Sequence, residues 1–246
     1  MNNLVVTILA AGDGKRMLSD IPKVLILFEG KPILVRIIEN VMKINPTKII
    51  VITGKYDELI KKTLSEYITC DNIQFVKQDV PMGTGDAIKC CLPYYGNNDR
   101  ILILNGDMPL INNDIIMQFI DNCNQITILT ARLSNPSGYG RIVYKDNEFI
   151  KIMEDKDCNN EELEINVVNT GLYFINSDIL HTYIPMICNN NNKNEYYLTD
   201  IVKIIKDATN ILINTYLLDE KYNMYISGVN TPKELTDLEY AFRTFT

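Results

Sequence analysis

The N-terminal run Leu4 to Leu9 empties directly into Ala10, Ala11, Gly12 and Gly14, and this junction constrains the chain more than any other segment. The run is short, apolar, rich in β-branched residues and free of Gly and Pro, so it reads as a buried strand. The four residues after it carry little or no side chain, which lets main-chain N–H groups come close to a ligand, as phosphate-binding loops do. Lys15 and Arg16 follow at once, and Lys23 stands behind Pro22 after a short spacer. A bare backbone with spaced cations is an anion site suited to a polyphosphate.

Two familiar phosphate loops do not fit. A dinucleotide fingerprint needs a third Gly where this chain has Met17. A Walker loop needs Ser or Thr after Gly-Lys, and here Arg16 follows Lys15.

The first 130 residues alternate short apolar strands with helical stretches, the pattern of parallel strands joined by crossover helices. Strands are expected over 5–9, 48–53, 73–76 and 101–105, and helices over 32–44, 57–68, 86–92 and 114–122. Asp107 and the Gly12 loop then both follow the carboxyl ends of strands, where open α/β sheets place their ligands. Beyond a strand at 126–132 the pattern changes. Strands at 140–144, 149–153 and 171–175 are separated by turns and suggest a mixed-sheet portion, with helices at 198–208 and 232–242. Residues 161–164 and 188–194 are expected to be mobile surface loops. The fold class is α/β: a mostly parallel central sheet with helices on both faces. A single domain is expected over 1–246, in two portions at 1–130 and 131–246.

The bulk properties narrow the function. A chain of 246 residues, 46% hydrophobic, has ample material for one core. No apolar run approaches the ~18 residues of a membrane span, so no membrane partner and a cytoplasmic location are expected. The net charge of −7 and the lack of a basic stripe disfavour nucleic acid. Cations focused at one loop still allow a polyphosphate to bind. Six scattered Cys and one His, without a Cys-x-x-Cys pair, argue against a zinc or disulfide framework.

The loop residues Leu9-Ala10-Ala11-Gly12-x-Gly14-x-Arg16-Met17, with Pro22-Lys23, are the first of a series. In order come Gln78-x(4)-Gly83-Thr84-Gly85, Gly106-Asp107-x-Pro109-Leu110 and Gly138-Tyr139-Gly140-Arg141-Ile142. Then follow Glu154-x-Lys156-Asp157, Asn169-Thr170-Gly171, the stretch from Asn194 to Asp200, and Gly228-Val229-Asn230. The series resembles the sugar-1-phosphate nucleotidyltransferases, and within them the uridylyltransferase part of bacterial N-acetylglucosamine-1-phosphate uridylyltransferases. It spans nearly the whole chain.

The resemblance implies a Rossmann-like fold, with a nucleotide-binding portion at 1–130 and a sugar-binding portion at 131–246, and attack of a sugar-1-phosphate oxygen on the α-phosphorus of UTP, with pyrophosphate leaving. A phosphate monoester is already ionised near neutrality (second pKa about 6), so no general base is required. Alignment and charge neutralisation, with Mg²⁺ as cofactor, then carry the chemistry. The implied catalytic residues are Arg16, Lys23 and Asp107. Arg16 would hold the β- and γ-phosphates, and Lys23 the α-phosphate or the incoming sugar phosphate. Lys15 is read as a solvated loop cation. Asp107 and Asn230 are the implied metal ligands, although Asp107 could cap after its strand and Asn230 could N-cap the helix that starts at Thr231-Pro232.

Substrate contacts are implied for Leu9, Ala10, Ala11, Gly12, Gly14 and Gly106 at the loops, and for Gln78, Gly83 and Thr84 at the base. Gln78 could equally be a solvated polar residue. Gly140, Glu154 and Asn169 correspond to N-acetylglucosamine contacts, while Tyr139, Arg141, Tyr196 and Tyr197 read as pocket wall and packing. Asn105 departs from the pattern, which often has Tyr there. The partners implied are UTP and N-acetylglucosamine-1-phosphate, with a monomer or small homo-oligomer. Other readings are transfer to glucose-1-phosphate with UTP or dTTP, cytidylyl transfer, or a non-catalytic nucleotide-sugar sensor. No hexapeptide repeats of an acetyltransferase occur, so uridylyltransfer without acetyltransfer is expected.

Overall fold

A computed structural model describes residues 3–12, 14–146 and 148–245, with the side chains of Lys15 and Phe245 outside that description. Along the first half run β1 (Leu4–Leu9), β2 (Leu27–Phe28), β3 (Lys31–Pro32), α1 (Ile33–Met42), β4 (Lys48–Thr53), α2 (Asp57–Tyr67), β5 (Ile73–Lys77), α3 (Thr84–Cys91), β6 (Arg100–Asn105), α4 (Asn113–Asp121) and β7 (Ile126–Arg132). The second half adds β8 (Arg141–Lys145), β9 (Glu148–Met153), α5 (Asn160–Leu163), β10 (Val167–Asn176), α6 (Ser177–Tyr183), α7 (Asp200–Ala208), β11 (Asn214–Leu217) and α8 (Pro232–Phe245).

Among the described residues, nine strands make one sheet with the path β11-β7-β10-β6-β1-β4-β5, and β8 and β9 extend it beside β10. β6, β1, β4 and β5 pair in parallel. β10 runs antiparallel between β6 and β7. Successive residues of the central strands face opposite layers. Ile49, Val51, Leu102 and Leu104 join α1, α2, α4 and α8 in one core cluster. Ile50, Ile52, Ile101 and Ile103 join α3, α6 and α7 in the other. Both faces are therefore covered, which is why these strands are apolar throughout. The fold is α/β, as the alternation of elements indicates.

Several local expectations are corrected. The segment 161–164 is not a loop: α5 is held by a capping box, with Asn159 accepting from Glu162 N–H and the Glu162 carboxylate accepting from Asn159 N–H. The strand expected over 171–175 begins at Val167, so Asn169-Thr170-Gly171 lies within β10, at a register shift against β7. Residues 188–194 lack regular structure but are pinned. Asn191 Oδ1 accepts from the N–H groups of Lys193 and Glu195, and Asn192 bonds Lys156 O and Asp157 Oδ1. The helices α3 and α7 start at Thr84 and Asp200, each two residues from the expected start.

Candidate active site

β1 and β6 end side by side, with Leu9 opposite Asn105. The chain then narrows: Gly106 N–H donates to Leu9 O at 2.9 Å, and a Cβ on Gly106 would lie 2.8 Å from that same oxygen. Only glycine permits this approach, and it brings Asp107 beside the N-terminal loop. Ala11, Gly12 and Gly14 line the cavity formed there. Ala10 does not; it is buried and gives its N–H to Ile52 O, so its smallness serves the strand crossing. Gly14 adopts φ +61°, and a Cβ there would stand 2.7 Å from Lys23 Cβ. The second loop glycine thus makes room for the lysine.

Lys23 Nζ donates to Asp107 Oδ2 at 2.5 Å and to Asn230 Oδ1 at 2.9 Å, and Arg16 Nη2 reaches the same Asn230 oxygen at 3.0 Å. Three distant segments therefore meet at four side chains. Val229 N–H donates to Asp107 O, and Gly228 packs against the Asp107 carboxylate, where a Cβ would be 3.2 Å from Oδ1. The capping alternative for Asn230 does not hold. Thr231 caps α8, its hydroxyl accepting from Glu234 N–H, while Glu234 Oε2 accepts from Asn230 N–H. That frees the Asn230 side chain to face Arg16 and Lys23. Asp107 turns its carboxylate to Lys23 instead of to a backbone N–H. The Lys15 side chain lies outside the described residues.

On one side of this centre, Gln78 is buried, not solvated. Its Nε2 donates to Asp86 Oδ2 at 2.6 Å and to Gly83 O at 3.2 Å. Both amide hydrogens are thereby engaged, which leaves Oε1 as the side chain's acceptor, and Gln78 lines the cavity. Gly83 (φ +109°) and Gly85 lie against Tyr196 O, which accepts from Gly85 N–H, and Thr84 Oγ1 accepts from Leu198 N–H. Two motifs more than a hundred residues apart thus form one wall.

On the other side, Asn169 N–H donates to Gly140 O. The Asn169 side chain accepts from Gly171 N–H and donates to Tyr173 Oη at 2.6 Å. Glu154 Oε1 accepts from Thr199 Oγ1 at 2.9 Å. Burial first, and then the neighbouring Asp200 and Asp157 charges, push the Glu154 carboxyl above the ordinary range against the opposing Thr199 bond and Lys193 charge.

Two cavities of about 670 and 640 Å³ adjoin. One holds Gly12, Gly14, Lys23, Gln78, Gly83 and Gly106; the other holds Gly140 and Asn169. Leu9, Arg16, Thr84, Asn105, Asp107, Glu154 and Asn230 line both, so the reactive centre is the seam. Every expected site residue except Ala10 borders one cavity or both. Tyr139, expected as pocket wall, lines the same cavity as Gly140 and Asn169, together with Gly228. Glu195, from the 194–200 stretch of the motif series, borders a cavity too, and so do Lys193 and the face of α8 presented by Asp237, Leu238 and Ala241, which the sequence alone does not single out. Lys193 and the α8 face bear no local signal; tertiary packing alone brings them in.

Among the described residues, no three His, Cys, Asp or Glu side chains converge as metal ligands. No described helix is long and apolar enough to cross a membrane.

The family description "Nucleotidyl transferase" matches residues 5–220, which include all but the last of these site segments. The chain belongs to the nucleotidyl transferase family. Relatives of this nucleotidyl transferase include a probable UDP-N-acetylglucosamine pyrophosphorylase of Acanthamoeba polyphaga mimivirus, 41% identical over 245 residues, covering 97% of this chain and 96% of that protein. A bifunctional protein GlmU of Trichodesmium erythraeum (strain IMS101) is 39% identical over 244 residues, covering 94% of this chain and 50% of that protein. The nucleotidyl transferase thus spans about half the length of such bifunctional relatives. Its fold is similar to that of a UDP-glucose pyrophosphorylase solved with UDP-glucose, with TM-score 0.75, 18% identity and full coverage of both chains.

Proposed function

We propose that the chain transfers the uridylyl group of UTP to N-acetylglucosamine-1-phosphate, giving UDP-N-acetylglucosamine and pyrophosphate. The observation that carries this reading is the seam: Arg16, Lys23, Asp107 and Asn230 converge where a cavity bordered by Gln78 meets a cavity bordered by Asn169. The name of the similar mimiviral protein supports the choice of product.

In this mechanism a non-bridging oxygen of the sugar phosphate forms a bond to the α-phosphorus. The bridge to the β-phosphate breaks, and pyrophosphate leaves with the bonding pair. Arg16 offers a planar fork to the β- and γ-phosphates, and Lys23 a compact charge to the α-phosphate. Gln78 Oε1 accepts from the N–H of the uracil edge. Gly140, Glu154 and Asn169 hold the acetamido sugar, and the whole chain acts as one catalytic unit.

A carboxylate and an amide oxygen brought together at Asp107 and Asn230 suit a hard divalent ion, which takes few protein oxygens and keeps water and phosphate oxygens as its other ligands. Mg²⁺ held there supplies charge neutralisation at the phosphate oxygens. The protein is taken to be cytoplasmic, as a monomer or small homo-oligomer.

The test is pyrophosphate release across UTP, CTP, dTTP and ATP, each paired with N-acetylglucosamine-1-phosphate and glucose-1-phosphate. The highest kcat/KM is expected for UTP with N-acetylglucosamine-1-phosphate. Preference for another pair overturns the substrate assignment, and absence of release with every pair overturns catalysis.

A further inference from the structure

Asn230 Oδ1 has two lone pairs, and two cationic donors, Lys23 and Arg16, converge on it. Asp107 Oδ2 is engaged by the same Lys23 ammonium. The one lysine therefore bridges both oxygen donors assigned to the metal. At the backbone Lys23 passes close to Gly14, where a Cβ on the glycine would stand 2.7 Å from Lys23 Cβ and 3.2 Å from its nitrogen. The neighbouring charges are one carboxylate at Asp107, two cations at Lys23 and Arg16, and Glu234, which accepts from the Asn230 backbone. A divalent cation approaching this arrangement meets two positive groups at hydrogen-bond range of its ligands: both bond Asn230 Oδ1, and Lys23 also holds Asp107 Oδ2, which leaves Oδ1 as the carboxylate oxygen without a cation on it.

We propose that Lys23 is an internal placeholder cation that withholds Asp107 and Asn230 from a divalent metal until a nucleotide's phosphates draw its ammonium away. This rests on the metal assignment made under Proposed function and adds the order in which the site fills. The polyphosphate supplies both the negative charge that the metal needs and an alternative partner for the ammonium. Metal and nucleotide then bind as a coupled pair, each raising the affinity of the other by the same factor. The lysine chain is flexible enough to make the move, while its charge keeps Asp107 paired before nucleotide arrives. If Lys23 were simply a phosphate contact, removing it would leave nucleotide-free metal affinity unchanged.

The test is Mn²⁺ binding to nucleotide-free protein, read from the free-ion electron paramagnetic resonance signal. Wild type, Lys23→Met, Lys23→Gln and the double variant Lys23→Met/Asp107→Asn are compared, with thermal unfolding as a check on folding. Both single lysine variants are expected to bind Mn²⁺ about ten-fold or more tightly than wild type, because a repelling charge has been removed. The double variant is expected to lose that gain. Equal Mn²⁺ affinity in wild type and the lysine variants overturns the proposal. So does stoichiometric Mn²⁺ uptake by nucleotide-free wild type that Asp107→Asn abolishes, a result needing no lysine variant. UDP-N-acetylglucosamine formation is scored separately. Product with no lysine effect on Mn²⁺ leaves the enzyme reading standing alone, and the lysine effect without product leaves only the placeholder.

Discussion

Asn105 stands over Gly171 so closely that a Cβ on the glycine would fall 2.1 Å from the Asn105 amide nitrogen. Gly171 also holds φ +83°, a conformation that L side chains rarely adopt. Gly171→Ala is expected to lose about 2–4 kcal/mol of stability, from backbone strain and overpacking together. Asn105→Ala in the same chain should recover the overpacking part only. Urea unfolding of the two single variants and the double variant checks this, and strictly additive effects would contradict the contact.

Removing charge at the seam should abolish turnover without unfolding the chain. Asp107→Asn and Arg16→Ala are each expected to lower kcat by about 10²–10³-fold, the range found when one preorganised electrostatic group is lost. Pyrophosphate release measures the effect, and near-normal rates in either variant refute the proposed role.

Asn230 and Thr231 are neighbours with separate tasks, which two substitutions can resolve. Thr231→Ala removes the cap on α8 and should cost about 1 kcal/mol, with activity largely kept. Asn230→Ala should leave the melting temperature nearly unchanged while activity collapses. The opposite pattern would return Asn230 to a capping role.

The choice of base is expected to depend on Asp86. Its carboxylate orients the Gln78 amide, leaving Gln78 Oε1 to meet an N–H on the base. Uracil presents that N–H at its N3 and cytosine does not. Asp86→Asn can pair with either end of the Gln78 amide, so the ratio of kcat/KM for UTP over CTP should fall about ten-fold or more. An unchanged ratio would place base selection elsewhere.

Glu154 makes stability depend on pH. Burial, with Asp200 and Asp157 nearby, raises its folded-state pKa above the unfolded value. The folded state then holds a proton that the unfolded state has released, so the contribution is full below the ordinary glutamate pKa of about 4.3. It is lost as pH rises from there through the raised value. Glu154→Gln should therefore raise the melting temperature relative to wild type more at pH 7 than at pH 4. Equal differences at both values would show that Glu154 is not perturbed.

The parts of the site legible in the sequence are those where the backbone itself is constrained. Gly14 and Gly106 are glycines because Lys23 and Leu9 O stand where a Cβ would go, and the cations beside them follow from local spacing. The apolar runs of β4 and β7 fix their own ends by composition. Partner choice was not legible. Nothing near Gln78 announces that Asp86 and Gly83 take both its amide hydrogens. The α5 loop was misread because Asn159 and Glu162 cap a helix of one turn, too short for periodicity to register. The order of strands in the sheet was also hidden, since the sequence runs from β6 to β7 while the structure parts them.

That parting bears on how the molecule is made. β6 and β7 leave the ribosome in succession, yet their edges meet only through β10, some forty residues later. Until Val167–Asn176 emerges, the nascent sheet has a slot at its middle, flanked by the strand that leads to Asp107. The strand that fills the slot brings Asn169 with it. Filling the gap between β6 and β7 and bringing Asn169 beside the reactive centre are thus one event, and a chain stalled before it would leave the facing edges of β6 and β7 unpaired.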